Sequence, residues 1–383
     1  MPHYKSIFVY GFAIFAMFFG SGNLVFPLEI GHAAGGSWVY GFFGLLLTGI
    51  FLPLAGLFVI KLHHGDYRAF FNGAGKLVGG LLPLLMLALL GSFGVVPRCI
   101  TVAYGSMSYL IPQIHLLPFS LFFCLVTFLC CLDDRIMVKI LGKWMSPVLI
   151  ITLLILIGMA VIQSPDTTQA LKPSISLTNG FLTGYQTMDL FAAFFFSALI
   201  FNQIQQQFPN ADQGDIIRFA IKPSLLGASL LALVYLGFVY MGAHYQALLE
   251  HVKPELMLPA IAANTLGSRA TLIMGVAMFF SCLTTAVALN NLFARYLHSS
   301  LKLSENRFPF LLAGTTLTSF IVSLLDFRGI AAFLAPVLEM TYPGVIALTL
   351  LGLILRKKPA LKALAFYSIT VMTLLIAGLS LVS

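Results

Sequence analysis

Four ionisable side chains lie within long apolar runs of this sequence and are well placed to do chemistry: Glu29, Arg98, Asp189 and Glu339. A charge inside an apolar segment costs free energy, so such residues mark ligand sites, ion pathways or buried pairs. Arg98 can pair with a carboxylate or with free carbonyls of a broken helix. Direct contact with a ligand is the second interpretation, and we favour the structural one.

The three acidic residues leave alternatives open. Glu29 fits an exposed segment edge as well as a functional position. Asp189 can cap a helix N-terminus or serve as an ion or proton site. Glu339 stands between two prolines that should distort its helix, where it can couple protons or form a buried pair with Arg98.

Hydroxyl groups cluster at Ser281, Thr284 and Thr285. Adjacent threonines on a helix point their hydroxyls about 100° apart, so only one of the two can face a given point squarely. The residues alone favour hydroxyls bonded back to carbonyls of their own helix. The alternative is a sodium site, which needs hard oxygen ligands.

Gly20-Ser21-Gly22-Asn23 interrupts the first apolar segment with residues that form helices poorly. Small residues serve close helix packing in membranes. The alternative is an unwound break, which is tolerated in lipid only where protein surrounds it or where it lines a cavity. The residues leave these two interpretations even.

The elements that must position these residues are membrane spans. Of 383 residues, 59% are hydrophobic and 9% charged, with a mean hydropathy of +0.98. Soluble proteins are about 25% charged, so the composition excludes that class. The five cysteines lie in or beside apolar segments without metal-site spacing, which indicates buried small side chains.

The predicted fold is all-α and polytopic, because apolar runs of about 20 residues, long enough to cross a bilayer, recur along the chain. Eleven spans are predicted: Ser6–Ile30, Trp38–Ile60, Leu77–Ile111, Pro118–Leu132, Met137–Ile162, Gly184–Gln205, Ile216–Gly242, Leu258–Leu297, Phe308–Leu325, Gly329–Leu355 and Ala360–Val382.

Loop charges predict the topology. With a cytoplasmic N-terminus, sixteen basic residues face the cytoplasm: Lys5, Lys61, Arg68, Lys76, Arg135, Lys139, Lys143, Arg218, Lys222, Arg295, Lys302, Arg307, Arg356, Lys357, Lys358 and Lys362. The opposite side carries four: Lys172, Lys253, Arg269 and Arg328. The positive-inside rule therefore predicts an N-terminus inside and, with eleven spans, a C-terminus outside.

The same alternation predicts one transporter domain, residues 1–383, with an inverted repeat. Spans one to five (about 6–162) begin inside and spans six to ten (about 184–355) begin outside, with an extra helix at about 360–382. Inverted five-span halves are typical of secondary transporters whose first and sixth helices are broken.

Four motifs follow one another along the chain: Gly11-Phe12-Ala13-Ile14-Phe15-Ala16-Met17-Phe18-Phe19-Gly20-Ser21-Gly22-Asn23-Leu24-Val25-Phe26-Pro27; Pro97-Arg98 with Thr101-Val102; Gly184-Tyr185-Gln186-Thr187-Met188-Asp189; and Cys282-Leu283-Thr284-Thr285-Ala286. Their order and spacing resemble the branched-chain amino acid:cation symporters (the LIVCS family). That family has the LeuT-like five-plus-five fold of the amino acid-polyamine-organocation superfamily, in agreement with the repeat that the loop charges predict.

The resemblance implies a substrate site and an ion site. In the LeuT-like fold the break of helix one receives the amino-acid carboxylate on backbone N–H groups. By position, the implied substrate-binding residues are Gly20, Ser21, Gly22, Asn23, Phe194 and Ser197; Ser21 and Gly22 supply amides and Asn23 a side-chain oxygen. The implied sodium site consists of the carbonyls of Ala16, Phe19 and Ser281 and the hydroxyls of Thr284 and Thr285.

The chain departs from the family pattern at several positions. Ser197 stands where glycine is expected in the unwound part of helix six, and Glu29 where an apolar residue is usual. Cys99 and Gly105 replace an expected threonine and glutamate. The chain is also predicted to be one helix shorter than the usual twelve. These departures bear on substrate and coupling ion more than on the fold.

The resemblance implies a symporter that imports leucine, isoleucine and valine with Na⁺ by alternating access, in a bacterial cytoplasmic (inner) membrane. The alternative is a symporter of the same fold that uses protons or carries another neutral amino acid. Membrane lipid is an expected partner; a cofactor and nucleic acid are not. An enzyme is not favoured, because the eight histidines scatter through loops and chain ends without a metal motif. A channel would need a repeated polar ring.

Overall fold

The computed structural model describes residues 4–132, 146–167, 170–209, 212–355 and 358–382. Within these ranges the chain forms helices and no strand, which confirms the all-α prediction. In chain order the main helices are α1 (Tyr4–Phe18), α2 (Ser21–Ala34), α3 (Trp38–Lys61), α4 (Tyr67–Asn72), α5 (Lys76–Leu90), α6 (Val95–Leu110), α7 (Leu116–Leu132), α8 (Ser146–Ile162), α9 (Pro173–Gln186), α10 (Asp189–Gln207), α11 (Gln213–His244), α12 (Met257–Ser300), α13 (Phe308–Ser323), α14 (Asp326–Ile354) and α15 (Pro359–Val382).

Within the described residues, six helical segments are long and apolar enough to cross a membrane, one of them being α5 and α6 taken together (Lys76–Leu110). Eight spans result if each of two bent pairs counts as one. Two shorter apolar helices accompany them. The chain is therefore a multi-pass membrane protein, while the count of eleven spans stays a prediction. Several sequence predictions lie outside the described residues: the start of the fifth span at Met137 and the basic residues Arg135, Lys139, Lys143, Arg356 and Lys357.

The first bent pair confirms the break predicted in helix one. α1 and α2 meet at an angle of 72°. Gly20 lies between them in extended backbone (φ −114°, ψ −162°), and its N–H bonds to the carbonyl of Phe18 instead of continuing the helix. The glycine-rich, polar sequence thus ends one helix and starts another within two residues.

The second bent pair is α9 and α10, which meet at 45°. Met188 adopts the left-handed conformation at φ 57°, which costs a residue with a side chain about 1–2 kcal/mol. The predicted sixth span, Gly184–Gln205, was wrong in its boundaries, because the pair begins at Pro173 and breaks at Thr187 and Met188. Ser197 consequently lies inside the regular helix α10 and not in an unwound segment.

Glycines bring the half-helices into backbone contact with their neighbours. A side chain at Gly31 of α2 would lie 1.9 Å from the Val239 carbonyl oxygen of α11. In the second half, a side chain at Gly180 of α9 would lie 2.0 Å from the Gly41 carbonyl oxygen of α3. In each case a helix of one bent pair packs on the helix that follows the other bent pair in the chain.

Candidate substrate and ion site between the helix breaks

The two helix breaks meet in the interior of the protein. A side chain added at Gly22 would come within 3.4 Å of the Cα of Thr187, in the second break. Beside this contact, Nδ2 of Asn23 donates to Oδ2 of Asp189 at 2.8 Å. The fold thus brings the small-residue stretch of α2 together with the carboxylate that begins α10.

A buried hydrogen-bond network surrounds the Asp189 carboxylate. The hydroxyl of Tyr235, on α11, donates to Oδ2 of Asp189 at 2.9 Å and accepts from Asn23. Oδ1 of Asn23 accepts the N–H of Gly20 at 3.1 Å. The Asn23 oxygen, implied by the resemblance to contact substrate or ion, therefore stabilises the turn of the break in this structure. Tyr235 lies in an apolar helix without a motif, so no sequence signal marked it.

The start of α2 presents backbone donors at the first break. The N–H groups in the first turn of a helix have no carbonyl four residues earlier, and they lie at the positive end of the helix dipole. The first regular bond of α2 runs from the Leu24 N–H to the Gly20 carbonyl at 3.3 Å. The amides of Ser21 and Gly22 thus belong to this first turn, on buried residues.

Two thiols lie beside these amides. Cys99 of α6 donates from Sγ to Oγ of Ser21 at 3.5 Å and is hydrogen-bonded to Cys282 of α12. All three side chains are buried. The departure from threonine to cysteine at position 99 therefore falls at the wall of the first break.

The hydroxyl cluster of α12 also faces the first break, with different roles for the two threonines. Thr284 bonds back to the Ser281 carbonyl at 2.8 Å, as the structural interpretation predicts. The hydroxyl of Thr285 is buried without a hydrogen-bond partner and would lie 3.4 Å from a side chain at Gly20. Ser281 donates from Oγ to the Phe19 carbonyl at 3.1 Å. Of the two threonines, Thr285 is the one that faces the break.

The last turn of α1 adds carbonyl oxygens to this region. Because the Gly20 N–H bonds to Phe18, it does not occupy the carbonyl of Ala16, which would be its partner in a continuous helix. The carbonyl of Phe19 lies in the break itself, where it accepts the Ser281 hydroxyl. Carbonyl and hydroxyl oxygens are the ligands that hard cations take, and the first break has oxygens of this kind from α1 and α12.

Arg98 lies fully buried beside the second break. Its Nη1 donates to the carbonyl of Gln186, the last residue of α9, at 2.7 Å, and its guanidinium lies 5.2 Å from the ring centre of Phe26. This is the contact with a free carbonyl of a broken helix that the structural interpretation describes. Nε and Nη2 are buried without hydrogen-bond partners.

Three residues predicted near the site lie elsewhere. Glu339 is exposed on α14, which is incompatible with the suggested buried pair with Arg98; the inward face of that helix carries Leu338 and Tyr342 instead. The Ser197 hydroxyl donates to the Leu57 carbonyl of α3 at 2.7 Å. The prediction put the unwound segment of helix six at Ser197, whereas the break lies about ten residues earlier, at Thr187 and Met188.

Phe194 lies on the same part of α10 as Ser197. Its ring packs on Phe70 and Phe71 of α4, with centroid distances of 5.5 and 5.1 Å. Phe194 lies more than one helical turn after Asp189 in α10. Its ring therefore packs against α4 and not at the junction of the breaks. The aromatic side chains near that junction are Phe26, Phe191 and Tyr342, the last two with ring centres 4.6 Å apart.

A cavity of about 460 Å³ lies on the side that the loop charges predict to be outside. Phe26 and Gln186, which both contact the Arg98 guanidinium, form part of its lining, together with Glu29 and Arg328. Glu29 is half-buried there. The cavity thus reaches from the surface to the layer of side chains that covers the breaks.

Beside this cavity, the loop before α12 carries a buried carboxyl group. The backbone carbonyl of Glu255 would lie 2.8 Å from a side chain at Gly105, so glycine at that position lets the loop pack on α6. Burial raises the pKa of Glu255 above its usual value.

Residues 3–383 match the family model for the branched-chain amino acid transport proteins. The chain belongs to this family. Membership of a transport family also agrees with the prediction that the protein is not an enzyme. Among curated relatives, the branched-chain amino acid permease BraB of Bacillus subtilis is 29% identical over 360 residues, which cover 91% of this chain and 80% of BraB. BrnQ of Corynebacterium glutamicum, a permease of the same description, is 27% identical over 357 residues, covering 91% and 81%.

Solved structures support the fold assigned to this family member. MhsT, crystallised with L-phenylalanine, superposes with a TM-score of 0.61 at 17% identity, covering 97% of this chain and 98% of MhsT. At this identity the likeness concerns the fold alone. It confirms the LeuT-like architecture that the sequence motifs and the loop charges predict.

Proposed function

We propose that this protein is a secondary active symporter that imports leucine, isoleucine and valine together with Na⁺. The observation that carries the proposal is the meeting of two helix breaks in the buried centre of the molecule, with free helix-start amides on one side and the unpartnered hydroxyl of Thr285 on the other. A break of this kind gives a small polar ligand buried partners within an apolar protein.

The substrate class rests on the permeases named above and on the surroundings of the breaks. The amides of Ser21 and Gly22 suit the charged part of an amino acid, and buried aromatic residues nearby suit an aliphatic side chain. Such a pocket distinguishes leucine, isoleucine and valine only modestly, because one methylene is worth about 1–3 kcal/mol.

The proposed sodium ligands are the carbonyls of Ala16 and Phe19 and the hydroxyl of Thr285, with Ser281 and Thr284 beside them. Sodium bound here would hold the end of α1 against α12 and so stabilise the break. Proton coupling through the buried carboxylate of Asp189 is the second candidate. The groups that hydrogen-bond this carboxylate, Asn23, Thr187 and Tyr235, are all neutral, so no directly bonded cation opposes its protonation.

The proposed direction of transport follows from the topology. The loop charges favour a cytoplasmic N-terminus, with the C-terminus outside if there are eleven spans. The membrane that we propose is a bacterial inner membrane, as the family resemblance implies. The 460 Å³ cavity would then admit substrate from outside. Alternating access would close it and open a path on the cytoplasmic side.

Uptake by reconstituted protein tests the proposal. Labelled leucine uptake into proteoliposomes is compared under an inward sodium gradient at fixed pH and under an inward proton gradient without sodium, with the membrane potential clamped. We expect sodium to drive accumulation of leucine, isoleucine and valine. Accumulation that the proton gradient drives and that does not depend on sodium would show that protons, and not Na⁺, are the coupling ion. Absence of uptake of any aliphatic amino acid would overturn the substrate class.

A further inference from the structure

Buried polar atoms without partners cluster at the second break. Among the described residues, Nε and Nη2 of Arg98 and Oε1 of Gln186 have no hydrogen-bond partner. Buried polar groups are nearly always paired in native proteins, because an unpaired group keeps its full desolvation penalty. Two donors and one acceptor left over within the same contact indicate a ligand with complementary groups.

The two free donors of Arg98 have the geometry that a carboxylate takes. Nη1 is occupied by the Gln186 carbonyl, and this bond fixes the plane of the guanidinium. The remaining Nε–H and Nη2–H point in parallel from one edge of that plane. A carboxylate accepts such a pair with both oxygens, in the bidentate arrangement that makes arginine the usual residue for this recognition.

The charge of Arg98 also has no anion in direct contact with it in the part of the chain that the structure describes. Among the described residues no carboxylate forms an ion pair with this side chain, although Arg98 is 0% exposed. The nearby carboxylate of Asp189 is bonded to Asn23 and Tyr235. A buried cation that is not directly paired with an anion is costly, so a bound carboxylate would relieve a penalty already present in the protein.

The cavity lies close to Arg98. Phe26 and Gln186 line the 460 Å³ cavity and also contact the Arg98 guanidinium, so one layer of side chains separates cavity and cation. The free acceptor Oε1 of Gln186 belongs to that layer. A zwitterion arriving there would meet a donor pair for its carboxylate and an acceptor for its ammonium group.

We propose that Arg98 binds the carboxylate of the transported amino acid through Nε and Nη2, and that Oε1 of Gln186 accepts a hydrogen bond from its ammonium group. The proposal rests on the proposed function, since it takes an amino acid as the ligand. It adds that residues of α6 and α9 recognise the carboxylate and ammonium groups of the substrate, in addition to the helix-start amides of α2.

Binding of ligands that lack one charge tests these roles. The full-length protein in detergent is titrated with leucine, with leucinamide, which lacks the carboxylate, and with 4-methylpentanoate, which lacks the ammonium group. Ligand-induced thermal stabilisation reports each affinity by mass action. The variants are Arg98→Gln, Arg98→Lys and Gln186→Leu. Arg328→Gln, an exposed arginine in the lining of the same cavity, is the matched control.

In the wild type we expect leucine to bind at least ~30-fold more tightly than leucinamide, the scale for losing one partner of a buried charged pair. Arg98→Gln should bring the affinity for leucine to within ~3-fold of that for leucinamide, because the variant lacks the cation that distinguishes a carboxylate from an amide. The affinity for leucinamide should stay unchanged, because leucinamide has no carboxylate for the arginine to bind. Arg98→Lys should give an intermediate ratio, since it keeps the charge without the fork. Gln186→Leu should reduce the preference for leucine over 4-methylpentanoate, and Arg328→Gln should alter neither ratio.

Two results would overturn the inference. An unchanged preference for leucine over leucinamide in Arg98→Gln, or in Arg98→Lys if the glutamine variant does not fold, would leave the carboxylate with the amides of α2 alone. Equal weakening of both ligands would make Arg98 a structural residue only. A wild-type protein that binds no aliphatic amino acid fails at the proposed function itself, and is recognised before any variant is compared.

Discussion

Asn23 on the first broken helix and Asp189 on the second are joined by a hydrogen bond of 2.8 Å. Both residues lie in the first turn of a half-helix, α2 and α10 respectively. The carboxylate is therefore held at the positive end of the α10 dipole, where a negative charge is stabilised. This one bond sets the separation of the two breaks on which the site depends.

Replacing Asp189 with asparagine should weaken this junction. The substitution removes the negative acceptor that serves Asn23 and Tyr235, and hydrogen bonds to charged groups contribute about 1.5–3 kcal/mol. We expect a lower Tm in detergent and leucine uptake reduced at least ~10-fold on the same basis. Tyr235→Phe removes the tyrosine donor and keeps that of Asn23, so it should have the smaller effect on both Tm and uptake. Wild-type stability and uptake in Asp189→Asn would show that the network is dispensable.

Alanine at Thr285 should impair sodium dependence much more than alanine at Thr284. Thr285 presents a free hydroxyl to the break, whereas the Thr284 hydroxyl is bonded to the Ser281 carbonyl. We expect the sodium concentration for half-maximal leucine uptake to rise at least ~10-fold in Thr285→Ala, the loss of about one charge-assisted contact. Thr284→Ala is the neighbouring control. Equal effects of the two substitutions on sodium dependence would contradict the assignment.

Alanine at Gly31 should destabilise the protein strongly. Its side chain would lie 1.9 Å from the Val239 carbonyl oxygen, so α2 would have to move away from α11, at a cost of about 3 kcal/mol. Gly158→Ala, in a helix where a side chain meets nothing within 4 Å, is the control and should change the free energy of unfolding by less than about 1 kcal/mol. Unfolding in denaturant distinguishes the two, and similar values would refute the contact.

Glutamine at Glu255 should alter the pH dependence of stability. Because burial raises the pKa of this carboxyl above its unfolded value, the folded state favours the protonated form. Its contribution is complete below the unfolded pKa and is lost as pH rises through the folded pKa. Glu255→Gln, which stays neutral, should therefore gain in Tm over the wild type as pH is raised from 4 to 8. A difference in Tm that is constant across this range would count against the burial argument.

The first break was predictable from local chemistry together with the loop charges. Two glycines, a serine and an asparagine form helices poorly, which left a break and close packing equally supported until the loop charges put this stretch at the start of an inverted repeat. The second break was harder, because Gln186-Thr187-Met188 contains neither glycine nor proline and a buried methionine takes the left-handed conformation. Its position could be found only from the fold.

The side-chain partners of the site were less accessible to sequence reasoning. Tyr235 looks like any aromatic residue of an apolar helix until α11 is packed on α2. The aromatic run around Phe194 contains no residue that marks a break. The resemblance to the family therefore predicted an unwound segment within α10, whereas the break precedes this helix. Asn23 carries both a donor and an acceptor, and composition cannot say which of them a ligand would meet.

The glycine contacts between half-helices and their neighbours constrain how this transporter can move. Backbone touches backbone at Gly31 and Val239, and again at Gly180 and Gly41, so neither pair has side chains that could slide or re-pack. Each half-helix next to the cavity is therefore tied to the second helix of the opposite half. Closure of the cavity would carry α2 with α11 and α9 with α3 as interlocked blocks, and the hinge would lie in the two breaks themselves.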